Sequence, residues 1–418
     1  MESHKGKKVL ILFMFCYFIY PPMLKAPSVF SYAFIYGIPL LTLMLNLHLL
    51  SEITKRQFVM ITLAFILVVF SIAFPAIHGT NDYSYIKTAT YIFRKLIIFL
   101  FLNIVLIKQY KEECSTELFM YYYSWTHAVY VIVTMIFVFV PEIKNFWFSI
   151  FNEVIDSESL LDNFGYTFRT GWQGFSGYRF TLRCTISCIF LLYLYFIGGS
   201  KGKLNTKNFI FPYMLCFIGN MFYGRSGLVI TILASIIALL IWGKTNYKRI
   251  LKYIGIALTV FLVIYQLRNI PILSDWYYWM STPIKNFITT GSFNNASFSR
   301  TNEMVFMPKF NTILTGDGYY TYAGHYYMRT DSGIMRNILF WGISGAIISY
   351  SMTIYLILET RKNNWLLCIL LMICFVSFEY KGDVYYEFAA LFLGLSFIES
   401  IKKQYLNNQS IKYSPIQK

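Results

Sequence analysis

Charge is scarce in this chain: Asp, Glu, Lys and Arg make up only 13% of its 418 residues, about half the share found in a water-soluble domain. So little charge cannot cover a water-facing surface, which excludes an ordinary globular protein of this size. Apolar residues reach 57% and mean hydropathy is +0.52, so an integral membrane protein is expected. Acid is scarcer than base, 20 against 36, for a net charge of +16. Spans tolerate few charges, so that excess belongs to the segments between them. The seven cysteines lie in apolar runs, Cys114 apart, and none falls in the two longest polar stretches, which argues against a disulfide framework. His4, His48, His78 and His127 show no metal-ligand spacing. The sequence has no internal repeat, no low-complexity tract and no detachable soluble domain, so residues 1–418 read as one membrane domain. A basic start and an apolar stretch over 9–20 lack a small-residue cleavage site, and read as a retained first span.

What is present is a series of apolar runs. A bilayer core of about 30 Å needs roughly 20 apolar residues per helix. Runs of that kind lie at 9–27, 30–50, 57–77, 87–107, 117–140, 180–198, 208–223, 226–243, 250–267, 333–358, 364–380 and 385–400. The expectation is an all-α protein of about 12 transmembrane helices. With the N-terminus inside, the inner segments carry 20 of the 36 Lys and Arg, each short and basic as cytoplasmic loops are. Both termini are then expected in the cytoplasm. The two long connections, 141–178 and 268–332, fall outside and hold most of the polar chemistry; function is expected there.

Arginine and lysine are distributed differently. Of 24 Lys, 17 lie on the expected cytoplasmic side, but of 12 Arg only Arg56, Arg249 and Arg361 do. The rest are Arg94, Arg169, Arg179, Arg183, Arg225, Arg268, Arg300, Arg329 and Arg336. Orientation does not explain this, because both residues count alike for topology. Guanidinium is suited to bidentate recognition of phosphate or carboxylate and is less strongly hydrated than ammonium when half-buried. For one arginine, snorkelling or pairing with outer acids such as Asp82, Glu142 and Asp162 explains as much. For the group, an anionic ligand at the outer membrane boundary is the better account.

The ligand's nature follows from further absences. There is no Walker A pattern, no Asp-x-Asp pair and no inner connection long enough for a nucleotide-binding fold. An outer-face enzyme also has no supply of nucleotide. It would use a substrate already activated, and a lipid diphosphate brings both the leaving group and the negative charge.

The residues then resemble a known family. The long second loop contains "FSRTNEMVFMPKFNTILTGDGYYTYAGHYYMRTDSGIMRNILFWGISGAI". Its order, Arg, Gly-x-Gly, His, then Asp-Ser-Gly opening a helix with Trp-Gly-x-x-Gly, resembles bacterial O-antigen polymerases of the Wzy type. "FRTGWQGFSGYRF" and "GRSGLVITILASIIALL" agree, so the resemblance covers roughly 168–345. It implies a GT-C-like glycosyltransferase of the cytoplasmic (inner) membrane, working without metal or other cofactor. The growing glycan would pass from undecaprenyl diphosphate to the next lipid-linked repeat unit, with inversion at the anomeric carbon. A chain-length regulator protein is an implied partner, and no nucleic acid is. The related O-antigen ligase uses the same donor and remains an alternative. So does a flippase for lipid-linked oligosaccharide, although repeat symmetry would be expected there.

Candidate catalytic residues are Asp331, His325 and Arg300; candidate substrate-binding residues are Arg169, Arg225, Arg329, Arg179 and Arg183. Arg169, Arg225 and Arg300 would clamp the diphosphate and stabilise the charge that develops as the carrier leaves. Asp331 would take the proton of the acceptor hydroxyl, with His325 the competing base. Each has a plainer reading: Asp331 precedes an apolar helix where an N-cap is usual, and loop arginines are cheaply solvated. Gly316 and Gly318 in "LTGDGYY" read as a turn. The aromatic clusters "DWYYWM" and "YYTYAGHYY" suit either sugar stacking or the membrane interface, the second more readily.

Overall fold

The computed structural model describes residues 2–25, 27–153, 169–198, 203–242, 265–266, 269, 271–291 and 303–413. The chain is mostly helical. Among the described residues, five helices are long and apolar enough to cross a bilayer: Lys55–Ile77, Tyr83–Glu113, Thr116–Phe139, Tyr178–Phe196 and Gly333–Lys362. They overlie five of the expected spans. Val29–Leu45 and Arg225–Ile241 are shorter apolar helices at two others, and the expected span at 250–267 lies almost wholly outside the described residues. Lys55–Ile77 has the highest hydropathy of the five and buries only 28% of its span; Phe58, Phe65 and Ile72 point outward from it, a surface suited to acyl chains rather than water.

The first helix differs from its expected limits of 9–27. It runs Glu2–Ile19 and stops there, because Pro21 and Pro22 lack the N–H groups a further turn requires. Lys55–Ile77 begins where it does for a local reason: Thr54 accepts the Gln57 N–H, and the Gln57 side chain accepts the Thr54 N–H, a capping box that satisfies both donors.

The chain divides into two compact units, Met1–Tyr32 with Met120–Ser299 and Ala33–Phe119 with Arg300–Lys418. In the first, Tyr178–Phe196 is central: 89% of its span is buried, and it packs against Thr206–Tyr223 and Arg225–Ile241. Those three helices share a polar knot. Thr181 and Thr185 donate to Asn220 Oδ1 at 2.8 and 3.2 Å, and Asn220 Nδ2 donates to Thr231 at 2.8 Å. Gly227 lies directly on it, since a Cβ there would collide with the Thr181 hydroxyl. The second glycine of "GRSG" is thus a packing requirement.

In the second unit, Gly333–Glu359 is the hub and packs against Lys55–Ile77, Phe310–Thr315, Trp365–Lys381 and Tyr385–Ser396. It breaks at Gly342, where φ is +65°. The "TGDG" turn crosses at that break: Asp317 N–H donates to Leu339 O at 2.7 Å and Gly318 N–H to Phe340 O at 3.1 Å. The turn thereby satisfies carbonyls that the broken helix cannot. Gly316 has φ +69°, and a Cβ on it would sit 2.5 Å from Phe340 O and 2.7 Å from the Gly342 nitrogen. Both obstacles are backbone and cannot swing away. Gly316→Ala is therefore expected to cost roughly 1–2 kcal/mol for the left-handed backbone and about 1–3 kcal/mol for overpacking. A markedly lower unfolding midpoint of the detergent-purified protein would show it; an unchanged midpoint would contradict it.

Candidate functional site

In the first unit, Arg169 is placed by a short hairpin. Thr170–Gly171 pairs with Gly174–Phe175, and Gly171 allows the strand to lie on the Tyr130 ring. The loop residues tie the hairpin to the end of the first helix: Trp172 Nε1 donates to Tyr20 O at 2.9 Å and Gln173 Nε2 to Pro21 O at 3.0 Å. Arg169, at its base, holds its guanidinium 4.6 Å from the centre of the Trp279 ring.

Arg225 reaches the same ring from another element. Its guanidinium lies 4.7 Å from the Trp279 centroid, and Nη1 donates to Trp279 O at 3.1 Å. Trp279 belongs to Pro271–Thr290, a helix formed within the long second connection. Trp276, one turn earlier, is buried and donates from Nε1 to Met221 O at 3.1 Å, which docks that helix. The "DWYYWM" cluster, expected mainly as a membrane-interface belt, thus supplies one buried anchor and one ring shared by two arginines.

Arg225 occupies the first position of its helix. A cation there faces the positive end of the helix dipole and is disfavoured by about 0.3–1 kcal/mol. Beside it the Ser226 hydroxyl is buried and, among the described residues, has no hydrogen-bond partner; it is a donor that a ligand oxygen would satisfy. A guanidinium carries its N–H donors in one plane, a fork that suits phosphate.

Among the described residues, the other arginines of this unit, Arg183 and Arg179, are not gathered on Trp279. Arg183 is 8% exposed and lies 5.2 Å from the Tyr20 ring centre and 5.5 Å from that of Phe180. Arg179, a turn earlier on the same helix, is exposed.

In the second unit, His325, Arg329 and Asp331 are all exposed. His325 is in a two-residue strand, His325–Tyr326, paired with Thr321–Tyr322. Asp331 is not the N-cap of the following helix; that position is Ser332, with no side-chain cap bond. The Asp-Ser-Gly motif has its reason one residue later. A Cβ on Gly333 would strike the Glu379 carboxylate, so glycine is what lets that side chain reach the helix start. Arg300 lies outside the described residues.

Around this segment is a network that the sequence reading did not find. Asp82 Oδ2 accepts from the N–H groups of Tyr320 and Thr321, both at 2.6 Å, and Oδ1 accepts from the Thr321 hydroxyl at 3.1 Å. Arg336 lies 4.1 and 3.7 Å from the ring centres of Tyr320 and Tyr326. The Tyr320 hydroxyl donates to Asp383 at 3.1 Å. Glu379, 2% exposed, accepts from Val384 N–H at 2.8 Å, Tyr350 OH at 3.0 Å and Asn337 Nδ2 at 3.3 Å. A signal was present: "FEYKGDVYYEF" places three acids, Glu379, Asp383 and Glu387, at four-residue steps amid apolar runs, where an ionisable residue is costly and needs a partner. On the loop side, burial and then the adjacent Asp317 carboxylate, which accepts from Tyr327 OH at 3.2 Å, raise the Tyr327 hydroxyl above the usual tyrosine range. Among the described residues, no three His, Cys, Asp or Glu side chains form a metal-binding group.

No family model matches this chain, and no curated protein or solved structure does either.

Proposed function

We propose that the protein is a bacterial surface-polysaccharide polymerase, a metal-independent glycosyltransferase of the cytoplasmic membrane. It would cross the membrane about twelve times with both termini inside, and join lipid-linked oligosaccharide units on the outer face. The observation that carries this reading is the pair of arginines, Arg169 and Arg225, sharing the Trp279 ring. Two planar cations on one rigid support suit a diphosphate, the leaving group of an undecaprenyl-linked donor. Arg183, Arg179 and Arg300 are assigned to the same anionic substrate, and Arg329 to the acceptor segment.

The chemistry is a displacement. An acceptor hydroxyl attacks the anomeric carbon of the donor glycan, the bond from that carbon to the diphosphate oxygen breaks, and undecaprenyl diphosphate leaves. Asp331 or His325 takes the hydroxyl proton. A separate chain-length regulator is the expected protein partner.

Deletion of the gene tests the class of function. A polymerase mutant displays surface lipid capped by a single repeat unit, and this is the expected result. Long polymer stranded on its carrier would instead indicate a ligase, and repeat units trapped inside a flippase. A normal ladder of chain lengths would end the proposal.

A further inference from the structure

The hairpin around Gly324 is built to hold one ring in one orientation. Its two-residue loop, Ala323–Gly324, has both φ angles positive, +49° and +79°, as a type I′ turn demands. Alanine is strained there, by about 1–2 kcal/mol, and Met328 and Arg329 also have positive φ. Three of the five non-glycine residues in this conformation among those described fall within seven positions. Such clusters mark ligand-holding segments when the surroundings over-determine them. Here they do, since Asp82 takes both Tyr320 and Thr321 N–H groups.

The register puts Tyr322 opposite His325, on one face of the ribbon, while Tyr326 turns to the other face and Arg336. Tyr322 is 62% exposed. Its ring is propped edge-on by Tyr319 at 5.5 Å, and Tyr319 stacks on Tyr327 at 5.1 Å. An aromatic side chain so exposed, on backbone so constrained, has no role in the core.

We propose that Tyr322 and His325 form a carbohydrate-binding platform, in which the Tyr322 ring stacks on the C–H face of a pyranose and the His325 imidazole hydrogen-bonds its hydroxyls. A flat aromatic face suits the apolar face of a sugar, and an adjacent polar side chain suits its rim. A membrane-interface role is the rival use of tyrosine. It requires no fixed orientation, and interface belts add tryptophan, which does not occur between Lys309 and Trp341. The identity of the glycan as the acceptor end of a repeat unit rests on the proposed polymerase function, whereas sugar binding itself does not.

Saturation-transfer NMR on the full-length protein in nanodiscs tests the platform, with methyl pyranosides of glucose, galactose, mannose, rhamnose and N-acetylglucosamine as probes. At least one probe is expected to receive saturation on the C–H protons of a single ring face. Tyr322→Ala is expected to weaken that binding by about tenfold or more, the loss typical of truncating a central aromatic anchor, and Tyr322→Trp to retain it. The side chain is exposed, so neither variant threatens folding. No transfer to any probe, or transfer unchanged in Tyr322→Ala, overturns the platform. So does strong quenching of the Tyr322→Trp indole by brominated acyl chains, which would place the ring in lipid. No lipid carrier enters these measurements, so they can fail while the deletion phenotype still reports a polymerase, or succeed while it does not.

Discussion

Arg225→Ala is expected to lower glycan transfer by on the order of 10²- to 10³-fold, the usual loss when one preorganised donor to developing charge is removed. Purified protein acting on a synthetic lipid-linked repeat unit is the assay. The expectation follows from where the side chain is held. Its backbone opens a helix, where a cation is disfavoured, its Nη1 is tied to Trp279 O, and its guanidinium lies 4.7 Å from the centre of the Trp279 ring. Arg225→Lys keeps the charge and loses the plane; it should recover little, because an ammonium can neither stack on the ring nor bind two oxygens at once. Arg169→Ala should behave similarly. If both residues hold one diphosphate, the double variant will lose less than the two single losses combined, the mark of groups acting on a common target. Trp279→Leu removes the shared support and should depress both contributions together. A rate near wild type for Arg225→Ala, at normal protein level, would return this arginine to a structural role and remove the chief support for a diphosphate substrate.

How much of this was legible in the sequence depends on the kind of interaction. Long apolar stretches leave the backbone few choices in lipid other than helix, and so Lys55–Ile77, Thr116–Phe139 and Tyr178–Phe196 lie close to where composition alone puts them. Arg169 and Arg225 stand out by residue type and sidedness, but Trp279 does not, because a tryptophan in "DWYYWM" gives no sign of which distant side chains will lie against it. The glycines of "GRSG" and "TDSG" stand in motifs that carry the family resemblance, and the reasons the structure gives for them are invisible in sequence. Gly227 makes room for the Thr181 hydroxyl and Gly333 for the Glu379 carboxylate, partners more than forty residues away in each case. Asp331 shows the opposite error. A good capping residue stands one position too early, since the N-cap is Ser332 and the helix begins at Gly333. Topology depends on cations and says nothing of acids, so the signal for Glu379 and Asp383 lies elsewhere, in the cost of each within an apolar run.

Those acids carry the largest expected effect on stability. Glu379 accepts three hydrogen bonds, from Val384 N–H, Tyr350 OH and Asn337 Nδ2, and Val384 is the N-cap of the helix Tyr385–Ser396. Glu379→Leu would leave two donors, Val384 N–H and Tyr350 OH, without their acceptor at about 1–3 kcal/mol each, while Asn337 Nδ2 keeps Gly333 O at 2.9 Å; the loss is a large fraction of the stability of many domains. The variant is expected to be largely absent from the monodisperse peak in detergent. Glu379→Gln should be intermediate. Its single carbonyl oxygen replaces the oxygen that Tyr350 and Asn337 share, but its amide NH2 then faces the Val384 N–H, donor against donor. Gly333→Ala presses on the same carboxylate from the start of the Gly333–Glu359 helix, so Gly333→Ala and Glu379→Gln combined should cost less than their separate losses predict, because each disrupts a contact the other has already weakened. A Glu379→Leu protein as stable as wild type would show that Val384 N–H and Tyr350 OH find other partners and that the network does not hold these helices together.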